Sequence, residues 1–509
     1  MVQINIVEDE KSSNKDQTQV KDSYNLEDAL RETKIGKCNY ILTSLTAISV
    51  LGSVVENTSM SYILPYAKCD LKLTTVEQGF LSTVSYLGIV FSSHLFGFLS
   101  DTWGRQKVLR VAGTGGFIFS FLSAFAPDKY SMIVLRFFAG TFVAGASSGG
   151  FSYISEFHTS DAAPRAAAFV SIALSGLIWV VMSPLAIAIM PMDWRFSIYT
   201  LDYKPWRLFL TCSSFVNLFN AFVFIFMPET PKFLVAMGRN KEALDVLSRM
   251  YAMNTGKPRE KYPVKSIESV TLGNSLSDAK GICGFLTLVV RQTVPVFKKP
   301  LFTNTWKLSY IIFVMFAIGH GTYVWIPDFL MQLQRYNGLP KTLCEVVGPK
   351  RIAASVEEMC DIDNKNIITF QFLFVIGFAF LAISMLSSFY LKKLEPKKLV
   401  CAWLLMSMLA CVSLNFLTNF YMIVLSIVLF LSCNVCANIV MAVAVQLFPT
   451  NYRAMATAFI MMCGRFGGVS GSSIIGLLLN INCTLIFYLF GGLLISCALV
   501  FIIIKIKPL

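Results

Sequence analysis

Apolar runs long enough to cross a bilayer alternate with short polar turns along most of this chain. A helix needs about 20 residues to cross roughly 30 Å of hydrocarbon. On that measure the sequence predicts spans near 40–64, 78–100, 108–126, 131–154, 167–191 and 207–228, then near 308–330, 367–391, 399–418, 420–447, 455–480 and 484–504. A polar stretch, 229–306, separates the two sets. Within it Ala243, Leu244, Leu247, Met250 and Tyr251 recur at helical spacing and predict an amphipathic helix under the bundles. Ahead of the first span, NLEDALRETKIGKCNY predicts a short helix along the membrane surface, with Leu26, Ala29 and Leu30 on one face and Gly36 as its stop. The pattern predicts an all-α membrane protein of about twelve transmembrane helices in two six-helix bundles. Its expected parts are an N-terminal segment 1–37, a bundle 38–228, a linker 229–306 and a bundle 307–509. The first 37 residues hold no apolar core followed by a cleavage site, so the first span is expected to act as the insertion signal.

Composition agrees with the pattern. Of 509 residues 55% are hydrophobic and 14% charged, and Phe alone, at 43, equals Lys and Arg together. That is the balance of a membrane protein. Charge adds an orientation, because bases in short loops stay on the cytoplasmic side. Arg31, Lys34 and Lys37 precede the first span, Arg105, Lys107 and Arg110 follow the second, and Lys392, Lys393, Lys397 and Lys398 follow the eighth. Both termini and the linker are therefore expected in the cytosol, and the loop 337–365 on the other side, although that loop also carries Lys341, Lys350 and Arg351. The net charge of +13 then reflects topology and does not point to nucleic acid. Of the thirteen cysteines, Cys344 and Cys360 lie in that outer loop and form the candidate disulfide. Cys433 and Cys436 have CxxC spacing inside a span without a second pair, and read as packing residues.

One charged turn stands out. In GFLSDTWGRQKVLR, residues 97–110, Gly97 and Asp101 share a helix face at the end of the second span. A glycine there admits a neighbouring helix, and the carboxylate meets it. Gly104 ends the helix, and Arg105 and Lys107 enter the headgroup region. A plain stop-transfer turn would explain the bases but not the aspartate.

Gly97, Asp101, Gly104, Arg105 and Lys107 in this spacing resemble the signature between the second and third helices of the major facilitator superfamily. Further matches are Arg136 and Gly140 in RFFAG, Glu156 and Arg165 in SEFHTSDAAPRAAA, and MPETPKFLVAMGRNKEALDVL after the sixth span. VWIPDFL at 324–330 and LFPTNYRAMATA at 447–458, followed by GRFGG, carry the likeness through the second half. The combination is similar to the synaptic vesicle glycoprotein 2-like and organic ion transporter branch, especially its insect-type members. The resemblance implies the major facilitator fold, with two bundles that rock about a central site. It also implies a cytoplasmic latch of Gly97, Asp101, Gly104, Arg105 and Lys107, joined by Arg136, Glu156 and Arg165. The second half departs from the pattern: SSFYLKKLEPKK lacks the glycine and aspartate, Gln446 replaces a frequent glutamate, and the outer loop is short.

Ionisable residues inside spans are costly and so informative. Glu56, beside Asn57, needs a wet cavity, a basic partner or a cationic substrate, or else a proton. Arg465 either holds an anionic substrate or balances Glu56. His320 reads as a packing residue or a proton carrier, with Tyr323 near it. Trp179 and Trp325 have the faces to box an organic cation, while interfacial anchoring is the other reading of Trp325. Asn434 and Asn438 share a helix face, and Asn217 and Asn220 add polar groups to the sixth span. The expected substrate-binding set is Glu56, Asn57, Trp179, His320, Tyr323, Asn434, Asn438 and Arg465.

These features predict a secondary transporter of a small organic ion in the plasma or a vesicle membrane, with a proton as a candidate coupling ion. No cofactor, metal or catalytic constellation is expected, and no phosphate-binding loop marks an ATP-driven pump. The alternative is a protein of the same fold that acts as a binding or trafficking partner without transport.

Overall fold

Polar residues between the apolar runs set where the helices begin. Thr74 caps the third helix and exchanges hydrogen bonds with Glu77 three residues on, and Asp128, Thr230, Thr342, Asn419 and Asn482 cap later ones. The computed structural model describes residues 24–198, 201–268, 294–299, 301–335, 341–348, 367–391, 395–448 and 450–504.

The first bundle comprises α2 (Lys37–Asp70), α3 (Thr75–Trp103), α4 (Arg105–Ser123), α5 (Lys129–Glu156), α6 (Ala163–Ile189) and α7 (Pro205–Phe226). A short α1 (Leu26–Glu32) precedes it, and a hairpin of β1 (Phe196–Ile198) and β2 (Leu201–Tyr203) joins α6 to α7. Two helices follow, α8 (Pro231–Ala236) and α9 (Asn240–Thr255). The second bundle comprises α10 (Leu301–Tyr323) with its continuation α11 (Ile326–Arg335), α13 (Ile367–Leu391), α14 (Pro396–Ser413), the broken helix α15 (Phe420–Leu431) and α16 (Cys433–Leu447), α17 (Thr450–Ile481) and α18 (Cys483–Ile503). A single turn, α12 (Leu343–Val347), lies outside it. Among the described residues ten helical spans are long and apolar enough to cross a membrane, and the protein is a multi-pass membrane protein. Two more helices, α4 and α14, are about 27–29 Å long but open on a basic first turn.

The two ends of the molecule differ in chemistry. At the basic end, α1 and α9 cover the bottom of the first bundle. Ala29, Leu30, Ala243, Leu247, Met250 and Tyr251 join Leu109, Tyr153 and Phe224 in one apolar cluster. The face of α1 is thus covered by protein and not by lipid, contrary to the surface position expected from its amphipathic pattern; α9 offers it a matching apolar stripe. At the opposite end, Cys344 of α12 is disulfide-bonded to Cys483, the first residue of α18. This corrects the expected Cys344–Cys360 pair: Cys483 lies 5.4 Å from Cys344 between Cα atoms, and Cys360 lies outside the described residues. Cys69, at the same end of α2, is also disulfide-bonded. Cys433 and Cys436 are buried free thiols.

The bundles meet mainly through α3 with α17, α6 with α13, and α2 with α11. Near the disulfide end this seam is tight. A Cβ on Gly79 would stand 2.8 Å from the Ser472 carbonyl oxygen, and one on Gly476 would stand 2.7 Å from that of Thr75. Toward the basic end the seam parts, and Gly97 faces open space. The helix contact expected at Gly97 is therefore not made in this state.

Candidate functional site

Three polar constellations lie along the seam and through the first bundle. The first is at the basic end. Gly104 separates α3 from α4, and Arg105 folds back from the first turn of α4. Its Nη2 donates to Asp101 Oδ1 at 2.7 Å, its Nη1 to the Ser100 carbonyl at 2.8 Å and its Nε to Glu156 Oε1 at 3.0 Å. Glu156 also accepts from Thr230 Oγ1 at 2.5 Å. Its side chain is 7% exposed against 57% for Asp101, so water screens the Asp101 pair far more. Glu229 caps α4, accepting from the backbone N–H of Arg105, Gln106 and Thr230 at 3.0, 3.2 and 3.0 Å. Burial pushes the Glu229 carboxyl above the ordinary glutamate range, against the pull of those amides and of Arg105. Lys107 is exposed. Arg165, which the resemblance joins to the latch with Glu156, is exposed too, and the cation on Glu156 is Arg105. Glu229 and Thr230 were not singled out from the sequence, although MPETPKF contains them.

The second constellation is deep in the first bundle. Arg136 of α5 and Glu56 of α2 are 0% and 1% exposed, with Arg136 Nη1 2.6 Å from Glu56 Oε1. The same nitrogen reaches the Glu56 carbonyl at 3.2 Å and Ser59 Oγ at 3.3 Å. Two expectations change here. The partner of Glu56 is Arg136 and not Arg465, because α5 packs directly on α2. Arg136 is no part of the latch at the basic end either: twenty residues, about 30 Å of helix, separate it from Glu156. Asn57 is buried and donates to the Ser53 carbonyl at 3.0 Å.

The third constellation lies between the bundles. Arg465, midway along α17, donates from Nη1 to Ser93 Oγ of α3 at 2.7 Å, and no carboxylate pairs with it among the described residues. His320 stands close by, its ring 4.3 Å from Phe316 and edge-on to Tyr86 at 6.0 Å, with Nδ1 unpartnered among the described residues. Tyr323 shares a 3.1 Å hydrogen bond with Thr58, and its ring centroid is 4.3 Å from that of Trp179. Tyr62 stacks on Phe370 at 5.9 Å, so rings of both bundles pack against each other across the seam. Trp325 is 1% exposed, not interfacial, and donates to Ser472 Oγ at 3.2 Å. The two tryptophans are thus packed against protein and do not face each other across an open box. Asn434 abuts Gly319 half-buried, and Asn438, one turn on, is exposed. Ser93, Thr58 and Ser472 were not foreseen, since a serine in an apolar span carries no mark of the bundle opposite.

Comparison with known proteins gives the context of this geometry. The model of the sugar (and other) transporter family matches residues 34–294, and that of the major facilitator superfamily matches 364–508. Human synaptic vesicle glycoprotein 2B is 25% identical over 334 residues, which cover 61% of this chain and 48% of that protein. Synaptic vesicle glycoprotein 2A of Rattus norvegicus is 24% identical over 349 residues, 64% of this chain and 46% of that one. The chain spans about half the length of the curated relatives it matches. Among solved structures, the xylose transporter XylE from E. coli, in a partially occluded inward open conformation, superposes with a TM-score of 0.65 at 13% identity, covering 91% of this chain and 98% of that one. The nucleoside transporter NupG superposes at 0.56 with 12% identity, covering 91% and 99%. These likenesses are of fold.

Proposed function

Because the chain belongs to the major facilitator superfamily, with more than half its length in a sugar (and other) transporter region, we propose that it moves a small organic ion across a membrane by alternating access. The observation that carries the substrate class is Arg465, a cation between the bundles that no carboxylate balances among the described residues. A guanidinium in that setting favours an anionic solute, and we read His320 beside it, with Tyr323, Asn434 and Asn438, as the further members of the substrate site. Glu56 is satisfied by Arg136, which argues against a direct cation contact; we read the pair as the candidate coupling site, where a proton would take the place of the Arg136 contact. Protonating Glu56 would leave Arg136 a buried uncompensated charge, a change large enough to drive rearrangement. That a D-xylose-proton symporter shares this fold supports proton coupling as such, not the part of Glu56 in it. Arg105, with Asp101, Glu156 and Glu229, is read as the latch that biases the basic end. The basic end is read as cytoplasmic, supported by its lysines and arginines and by the disulfide at the other end, and the membrane as plasma or vesicle membrane.

An untargeted uptake screen in proteoliposomes tests this. Wild type is expected to take up an anionic solute, and Arg465→Ala to lose about ten-fold or more in apparent affinity, the loss of a charged hydrogen bond of about 1.5–3 kcal/mol. Uptake of cations alone would overturn the substrate class. No uptake by folded protein would favour a non-transporting binding partner of the same fold.

A further inference from the structure

The membrane-buried part of the first bundle holds polar groups that the mechanism above leaves unused. Asn217 and Asn220 of α7 are each 1% exposed, and neither oxygen nor nitrogen of either amide has a hydrogen-bond partner among the described residues. They lie against glycines of α2 and α4. Asn217 Oδ1 is 2.7 Å from where a Cβ on Gly52 would stand, and Asn220 Nδ2 is 2.9 Å from that of Gly113. The side chain of Asn217 also lies 3.5 Å from that point on Gly116. Ser49 Oγ, on the same face of α2 as Gly52, is buried and unpartnered as well. Asn57 Oδ1, Arg136 Nε and Arg136 Nη2, around Glu56, are unpartnered too among the described residues.

Buried polar groups in proteins nearly always find a protein or water partner, and a bound water serves about three of them. Other unpartnered buried atoms of this bundle, those of Tyr66, Gln78 and Arg207 among them, lie elsewhere, but the ones at Ser49, Asn217 and Asn220 gather along one side of α2 and α7. Ser49, Gly52, Ser53 and Glu56 follow one face of α2 over about 10 Å; Asn217 meets that face at Gly52, and Asn220, one turn on along α7, lies against Gly113 of α4. Asn220 is six residues, about 9 Å, from Phe226 at the basic end of α7. We propose that α2, α4 and α7 enclose a file of bound water at Asn217 and Asn220 that carries protons between Glu56 and the basic end. The role rests on the reading of Glu56 as the coupling carboxyl. In each passage the Glu56 carboxylic acid gives its proton to the adjacent water, each water passes one on, and one proton leaves at the basic end. One O–H bond breaks for each that forms, and Glu56 returns to the carboxylate. Arg136 of α5 is the charged group that faces Glu56; α10 reaches α2 with Tyr323 at Thr58, and α6 with Ser183 at Tyr62.

Infrared difference spectroscopy on the full chain in proteoliposomes tests the route without a known solute. The probe is D2O, introduced at acidic pH, and the readout is the rate at which the carboxyl band absent from Glu56→Gln shifts. The double variant Asn217→Leu/Asn220→Leu is expected to slow that shift at least ten-fold, while Asn217→Ser, which keeps a polar group, stays near wild type. If the double variant does not fold, Asn217→Leu alone gives the same reading. Unchanged exchange in a folded leucine variant would overturn the water file. A wild type without a Glu56 carboxyl band at any pH would overturn the coupling role itself, and the proposal with it.

Discussion

Gly104 shows what a single position carries at the basic end. Its φ of 105° is a conformation that side chains rarely adopt, and a Cβ there would overlap the Glu229 carboxylate. Glu229 in turn holds three backbone N–H groups, so the two residues fix the start of α4 together. Because its carboxyl binds a proton more tightly packed than unfolded, Glu229 adds stability that is fully present below the ordinary glutamate pKa. That stability is lost as pH rises through the raised value. Glu229→Gln keeps an acceptor and removes the titration, so its apparent melting temperature in detergent should vary less across mildly acidic pH and be no lower than wild type at neutral pH. Glu229→Ala should lose about 1–3 kcal/mol by stranding the amides. Equal losses in both variants would contradict the assignment. The resemblance made Asp101 and Arg105 legible as one latch; helical spacing did not, since Gly104 ends α3 between them and Arg105 folds back from α4 to reach Asp101. The sequence could not pair Glu56, since the resemblance assigns Arg136 to the latch and leaves Arg465 as the cation to balance it, and only the packing of α5 on α2 corrects that. Glu229 was hidden for a similar reason: its contacts reach a segment more than a hundred residues earlier.

Among the elements, α1 and α9 show where periodicity stops informing. The apolar stripe of each was visible in sequence, but a stripe does not say whether lipid or protein covers it. In the structure Asn254, at the end of α9, clamps the chain between α1 and α2. Its Nδ2 donates to the carbonyls of Thr33 and Lys34 and to Asn39 Oδ1, and its Oδ1 accepts from the Cys38 N–H. Asn254→Ala should therefore loosen this junction and speed tryptic cleavage at Lys34 and Lys37 several-fold, with little change in global melting. Identical cleavage kinetics would show that the clamp holds nothing. The disulfide teaches the same lesson. The outer loop was a sound place to seek one partner, yet the other, Cys483, was hidden at the end of an apolar run where a thiol reads as packing.

For the whole molecule, the apolar runs located the crossing helices well, because length and hydropathy are what the bilayer selects. Which end of the seam is open was not legible, since both states of a rocking bundle bury the same kinds of face and differ by only a few kcal/mol. The predicted orientation is open to direct test: a cysteine replacing Glu345 should react with impermeant reagent on intact cells, and one replacing Glu260 should not. Equal labelling would reverse or abolish the topology. The central claim is that this fold couples a proton at Glu56 to passage of an organic anion past Arg465. Its most direct test follows the anionic solute identified by the uptake screen into proteoliposomes under an imposed inward proton gradient. Wild type should concentrate the solute and lose that ability when the gradient is dissipated, while Glu56→Gln should exchange solute across the membrane without concentrating it. Gradient-driven accumulation that survives in Glu56→Gln would contradict the account.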